Sequence, residues 1–387
     1  MPQNPPTLKV AILGAGMIGR AHARAFRALR GTFQPAPAVV DLVAIADADL
    51  ALARDAQTRW EIERVASSWQ EVAEMQDVDI VCVALPNHQH REPVEALVGD
   101  GKHVLCEKPL ASTSTDARAM LDLAQRNGVV HGVGFNLRRA PAIASIHAAI
   151  TEGRLGDLQH FSGQYFTDYG ASPDVPFTWR YERSLAGSGA LGDIGSHVID
   201  MARHLVGELG VVQGASLATF IKERPVPAGH VTGHSVGATT GEFRAVDTDD
   251  VAAFTCAFEN GALGDFRFSR VATGYRNSPA FDLIGSRGAI NFDMERAAEF
   301  NIFETSAGDK LAGFRRVVTG PQHPYFNEVV AFPVAGVGYG YSETYVGQAY
   351  EFVRAVAEQR PYSPNFEDGV AVVEICEAVQ RAATAVV

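Results

Sequence analysis

A short apolar run, Leu8-Lys-Val-Ala-Ile-Leu13, leads directly into Gly14-Ala-Gly16-Met17-Ile18-Gly19 and then into an Ala- and Arg-rich stretch with helical character. Few arrangements accommodate a strand, a glycine turn and a helix in that order. Gly14 permits the tight turn, Gly16 lets a pyrophosphate approach the backbone, and Gly19 lets the helix pack closely on the strand. The helix N-terminus, at Met17 and Ile18, supplies N–H donors to phosphate oxygens. The same pattern also arises by chance in turns, but between a strand and a helix it implies a bound dinucleotide.

A Pro-containing loop, 31–37, precedes a second strand, Leu42 to Ala46, which ends on Asp47. A carboxylate there can accept hydrogen bonds from both hydroxyls of an adenosine ribose and would repel a 2′-phosphate, which favours NAD over NADP. The alternative is a solvated turn aspartate. Further strands, Val78 to Leu85, His103 to Cys106 and Val129 to Phe135, alternate with helical text, as in a parallel sheet built from βαβ units.

From about Gly156 the texture changes. Leu158 to Phe166, Gly214 to Ile221, Val251 to Phe258, Leu263 to Ser269 and Gly288 to Phe292 follow one another without regular helices between them, which implies a separate, mostly antiparallel sheet. A helix over Asp193 to Val206 stands inside this region, and two more, Val346 to Gln359 and Asn365 to Val386, follow it. Val226 to Thr248 reads as a long loop, and Ala335 to Tyr341 as a Gly-rich turn. The expected fold class is α/β. An N-terminal Rossmann dinucleotide-binding domain (1–137) would precede a C-terminal α+β domain with a large open, mostly antiparallel sheet (138–387).

Composition excludes other classes. The 387 residues are 47% hydrophobic and 20% charged, a globular balance. The formal charge of −12 has no Lys/Arg stripe to set against phosphates, so nucleic acid is not an expected partner. Cys82, Cys106, Cys256 and Cys376 form no C-x-x-C pair and read as buried thiols in a reducing compartment. With no signal-peptide pattern and no apolar stretch of membrane-spanning length, a cytoplasmic protein is expected.

Asp193 and His197, four apart on an expected helix, can reach the same ligand atom. An imidazole near its ordinary pKa is matched to accept an alcohol proton near neutral pH. Lys108, held extended by the following Pro109 at a strand's end, can hydrogen-bond a substrate oxygen and stabilise a developing alkoxide. A metal site built from Asp193, His197 and His204 would lack further ligands, so no metal is expected. Phe177-Thr-Trp179-Arg180-Tyr181 sets an aromatic ring beside a cation, which suits a sugar, although Trp179 could equally be a packing residue.

Val83-Ala-Leu-Pro86-Asn87-His-Gln-His90, Gly101 through Glu107-Lys108-Pro109-Leu, and Gly189-Ala-Leu-Gly-Asp193-Ile-Gly-Ser-His197 resemble the Gfo/Idh/MocA oxidoreductase family over nearly the whole chain. The resemblance implies an NAD-dependent dehydrogenase with Lys108, Asp193 and His197 at the reacting carbon. It places Pro86, Asn87, His90 and Glu107 with the cofactor-binding residues, and Trp179, Arg180 and His323 with those that bind substrate. It further implies a homo-oligomer, a tetramer formed through the C-terminal sheet, in which His323 of Gly320-Pro-Gln-His323-Pro serves the adjacent site; a loop histidine without a role is the alternative. The motifs around Trp179, Thr219 to Pro225 and Thr319 to Thr344 narrow the resemblance to a branch acting on inositols, L-glucose and levoglucosan. A neutral ligand fits the charges. scyllo- or myo-inositol or L-glucose is expected first, with levoglucosan as the alternative. An NAD-dependent glycosidase and a catalytically silent dinucleotide sensor are the other readings, and the latter is disfavoured by retention of Lys108, Asp193 and His197.

Overall fold

Short strands rich in Val, Ile and Ala that are buried on both faces belong to a parallel sheet covered by helices. The computed structural model has six of them: β1 (Thr7–Leu13), β2 (Val39–Ala46), β3 (Arg64–Ala66), β4 (Ile80–Val83), β5 (His103–Cys106) and β6 (His131–Val133). It describes residues 5–32, 37–229, 231, 237–305, 310–330 and 332–385. The strands run parallel in the order β3-β2-β1-β4-β5-β6. Strand order reverses between β1 and β4, and ligands of open parallel sheets bind beyond the strand ends at such a point.

These strands belong to a unit made of Met1–Asn136 and Ser342–Val373. The later segment covers the open edge of β6: the Val133 amide donates to the Pro364 carbonyl at 3.0 Å, and the Phe366 amide to His131 Nδ1 at 3.1 Å. A Cβ on Gly132 would lie 2.5 Å from the Tyr362 ring, so the ring can sit against this strand only because the residue is glycine.

The second unit is Leu137–Tyr341 with Glu374–Val387. Its strands are β7 (Leu158–Phe166), β8 (Leu209–Ala218), β9 (Glu223–Pro227), β10 (Thr239–Ala245), β11 (Val251–Phe258), β12 (Leu263–Ser269), β13 (Ser278–Gly285), β14 (Gly288–Asp293), β15 (Glu299–Glu304), β16 (Arg315–Val318) and β17 (Ala383–Ala385). Nine of them form one sheet, β16-β15-β14-β13-β7-β12-β11-β8-β17, antiparallel except at β7/β12 and β8/β17. Alternation assigns the faces. Phe161, Phe254, Phe266, Phe281 and Phe292 are buried on one face, with Phe254 and Phe266 stacked at 4.5 Å. Ser162, Gln164, Asp265, Arg267 and Asp282 alternate with them onto the other. The helix Gly195–Val206 lies on the aromatic face, where a Cβ on Gly163 would meet Val198 at 2.7 Å and one on Gly195 would meet the Phe268 ring at 2.4 Å.

Three expectations need correction. The expected helix over Asp193 to Val206 is two pieces, Ala190–Asp193 and Gly195–Val206, separated at Ile194 (φ −112°). Val226 to Thr248 contains the end of β9 and all of β10, which pair antiparallel with β10 exposed throughout; 230 and 232–236 lie outside the described residues, as do 33–36 of the Pro-containing loop. The last helix, Phe366–Ala382, stops short of the expected Val386, because the chain straightens into β17 and pairs with β8.

Candidate active site

The glycine turn has the shape its sequence requires. Gly14 has φ +97°, and a Cβ there would lie 2.5 Å from the Ala84 carbonyl oxygen. A Cβ on Gly19 would fall 1.8 Å from the Gly14 carbonyl, whereas nothing lies within 4 Å of the Cβ position of Gly16. Two glycines are thus demanded by packing, and the middle one leaves open space over the start of the helix Met17–Thr32. That cradle fits a pyrophosphate. Asp47 Oδ2 accepts the Ala15 amide at 2.7 Å and Oδ1 the Asp49 amide at 2.8 Å, so the residue expected at the ribose also holds the turn.

Lys108 follows β5 and is joined to Pro109 by a cis peptide bond. Its amide donates to Glu107 Oε2 at 3.2 Å, and Glu107 Oε1 meets His22 Nε2 at 2.8 Å, with both side chains buried. Gly134 makes room for this carboxylate, since a Cβ would lie 2.6 Å from Oε1. Burial alone would disfavour a charged His22, but Cys82 and Glu107 beside it hold its pKa well above the ordinary histidine value. His90 is wholly buried and joins two loops, with Nε2 on the Leu85 carbonyl at 2.8 Å and Nδ1 on that of Leu110 at 3.1 Å. Pro86 and the buried Asn87 lie at the start of the single turn before it.

Asp193 and His197 lie in the second unit, and an acceptor the sequence reading missed fixes their turn. The amides of Gly189, Ala190 and Leu191 all end on Asp249: on Oδ1 at 2.6 Å, on its carbonyl at 2.9 Å and on Oδ2 at 2.9 Å. Asp193 ends this short helix, with Oδ2 accepting the Tyr169 hydroxyl at 2.6 Å and lying 3.6 Å from Arg180 Nε. Burial first, and the Asp193 charge beside it, push the Tyr169 hydroxyl well above its usual pKa. His197 is buried in the next helix with the Tyr165 ring 6.1 Å away.

The Arg180 guanidinium stacks on Trp179 at 4.4 Å, so one face of the expected sugar platform carries this cation. His323 Nδ1 accepts the Gly320 amide of its own turn at 2.9 Å, which leaves Nε2 as the nitrogen facing away from that bond. His204 stacks on His147 at 4.3 Å. Among the described residues no group of three or more His, Cys, Asp or Glu side chains could hold a metal ion, and no helix is long and apolar enough to cross a membrane.

A parallel sheet in this order, with such a glycine turn, defines a dinucleotide-binding fold. Residues 8–135 match the oxidoreductase family with an NAD-binding Rossmann fold, and residues 143–291 match the Gfo/Idh/MocA C-terminal domain. The chain is 41% identical to levoglucosan dehydrogenase of Pseudarthrobacter phenanthrenivorans, covering 97% of this chain and 96% of that protein. It is 27% identical to inositol 2-dehydrogenase of Rhizobium meliloti, again over 97% and 96%. A solved levoglucosan dehydrogenase in complex with NADH and levoglucosan aligns with a TM-score of 0.90 at 40% identity, covering 97% of each chain. The protein belongs to the Gfo/Idh/MocA family of oxidoreductases. Within it, the chain is an NAD-dependent dehydrogenase of the sugar- and polyol-oxidising kind.

Proposed function

We propose that this dehydrogenase oxidises a secondary hydroxyl of a neutral cyclic sugar, with a 1,6-anhydrosugar such as levoglucosan as first candidate and inositols or L-glucose after it. That order reverses the one expected from sequence. The reversal rests on 41% identity to a levoglucosan dehydrogenase against 27% to an inositol dehydrogenase over the same share of the chain. The observation that carries the reading is the single carboxylate of Asp193, held by one phenol and one guanidinium in the turn before His197. Such a group grips a hydroxyl, whereas a sugar phosphate calls for an arginine clamp.

In this reading His197 takes the hydroxyl proton, Lys108 hydrogen-bonds the same oxygen and stabilises its developing charge, and Asp193 orients the sugar. Bound NAD supplies the hydride acceptor. Gly14, Gly16, Met17, Ile18, Gly19 and Asp47 hold its phosphates and adenosine ribose. Pro86, Asn87, His90 and Glu107 shape the wall beside it, the last two as buried props. Arg180 and Trp179 take part in sugar binding. The unit from Leu137 carries the substrate and mediates association into a tetramer, in which His323 serves a neighbouring site.

The test is NADH formation over levoglucosan, scyllo- and myo-inositol, D- and L-glucose and their phosphates. Levoglucosan is expected to give the highest kcat/KM. Activity confined to phosphorylated or open-chain substrates would overturn the cyclic-sugar reading, and cleavage of a glycoside without net NADH would point to the glycosidase alternative.

A further inference from the structure

Two arginines of the second unit, Arg224 and Arg270, are fully buried although neither belongs to the expected site. Both guanidiniums pack on the Tyr181 ring, at 4.2 and 4.6 Å from its centre. Burying two cations around one ring is costly unless their donors are used. Arg224 donates to the carbonyls of Gly170 at 2.6 Å and Ser172 at 2.9 Å, clamping the segment directly after Tyr169. Arg270 bonds Asp250 Oδ1 at 2.9 Å and Thr248 Oγ1 at 3.0 Å, and donates to the Arg180 carbonyl at 3.2 Å. One arginine therefore holds the backbone beside Tyr169 and the other that of Arg180, and both of these residues reach Asp193 Oδ2.

We propose that Tyr169 is a positioning residue for the dehydrogenase reaction, holding the Asp193 carboxylate in one ionised orientation toward the sugar, with the Arg224–Tyr181–Arg270 stack as the rigid frame that aims it. The inference rests on Asp193 binding the substrate. A donated hydrogen bond to the carboxylate favours its ionised form, and a tyrosine whose adjacent backbone is clamped by Arg224 cannot follow alternative rotamers of Asp193. The catalytic site thus has a second layer that its sequence motif does not contain.

The experiment compares wild type, Tyr169→Phe, Asp193→Asn and the double variant. It measures initial rates with NAD and levoglucosan or scyllo-inositol, whichever supports NADH formation, together with the NADH dissociation constant and Tm. Tyr169→Phe should lower kcat/KM for the sugar roughly 10- to 100-fold, as expected for one hydrogen bond to a charged group, with NADH binding unchanged. The loss should fall on the sugar's kcat/KM while Tm and the NADH dissociation constant stay near wild type, which a general loosening would not produce. In the Asp193→Asn background the tyrosine substitution should cost almost nothing further.

An Asp193→Asn enzyme that is impaired beside a Tyr169→Phe enzyme at wild-type rate overturns the positioning role alone. Fully additive losses do the same. Asp193→Asn at wild-type rate overturns the site assignment itself. Should Tyr169→Phe fail to fold, Arg224→Lys keeps the charge but removes the forked clamp, and must also lower kcat/KM for the sugar with NADH binding unchanged. An unchanged kcat/KM in that variant would refute the frame.

Discussion

Replacing Asp249 with alanine would remove both side-chain acceptors from the turn that presents Asp193. The Gly189 and Leu191 amides would be left facing a protein interior in which Asp249 itself is only 3% exposed. An unsatisfied buried donor costs about 1–3 kcal/mol, so two cost roughly 2–6 kcal/mol, a large part of the ~5–15 kcal/mol by which proteins are stable. The Ala190 amide would keep its bond, because its acceptor is the Asp249 main chain. At about 2–4 °C per kcal/mol for a unit of this size, Tm should fall by about 4 to 24 °C by calorimetry. Below that transition the folded variant should bind NADH like wild type but turn over more slowly, because Asp193 sits two residues beyond the loosened amides. Asp249→Asn, which retains one acceptor oxygen, should fall between the two. A Tm within a degree of wild type would show that this turn is held by something other than Asp249. Lost NADH binding would contradict its confinement to the sugar side.

Lys108→Ala and His197→Ala should each lower kcat by about 10² or more with NADH binding retained, as titrated by fluorescence. Asp47→Ser should erode NAD preference in paired kcat/KM measurements, and should also weaken NAD itself because Oδ2 no longer holds the Ala15 amide. His323→Ala mixed with Lys108→Ala should recover activity in verified mixed oligomers if His323 serves a neighbouring site. Glu304, paired with Arg154 at 2.7 Å and Arg315 at 2.7 Å, is held down to about 2 from its usual 4.5, by Arg154 first. A depressed carboxyl pKa contributes stability above its unfolded value and loses it as pH falls through the folded one. The deficit of Glu304→Gln, about 1 kcal/mol or less for so exposed a network, should therefore hold near neutrality and vanish between pH 4.5 and 2 in urea titrations.

Local pattern revealed the parts of this fold that carry their own signal. Leu158–Phe166, Val251–Phe258 and Leu263–Ser269 alternate cleanly and match strands end to end. Ser278–Gly285 went unread although it is central to the sheet, because Pro279 and Asp282 interrupt its apolar text. β10 is exposed along its whole length and thus has little hydrophobic period to detect. The same division runs through the site. Gly14, Gly16 and Gly19 announce their turn within six residues, whereas Asp249 reads as one more acid in Asp247-Thr-Asp-Asp250 until the fold brings Gly189 to it from sixty residues away. Tyr169 and Arg270 gave no signal, and Arg224 only as one letter of the Thr219 to Pro225 motif, since the pairing that defines all three is long-range.

The edge strand β6 receives its backbone partner and its aromatic cover from Pro364, Tyr362 and Phe366, residues encoded more than two hundred positions after it. For gene engineering this makes the dinucleotide-binding half a split module. A fragment cut after residue 137 would carry the whole glycine turn yet end on a bare strand edge, open to pairing with other chains. Grafting a new second unit onto this cofactor half would therefore need three splice junctions, near Asn136, Ser342 and Val373, because the chain returns after Val373 to supply β17 to the other sheet. A single-junction chimera should aggregate even with its NAD motif intact.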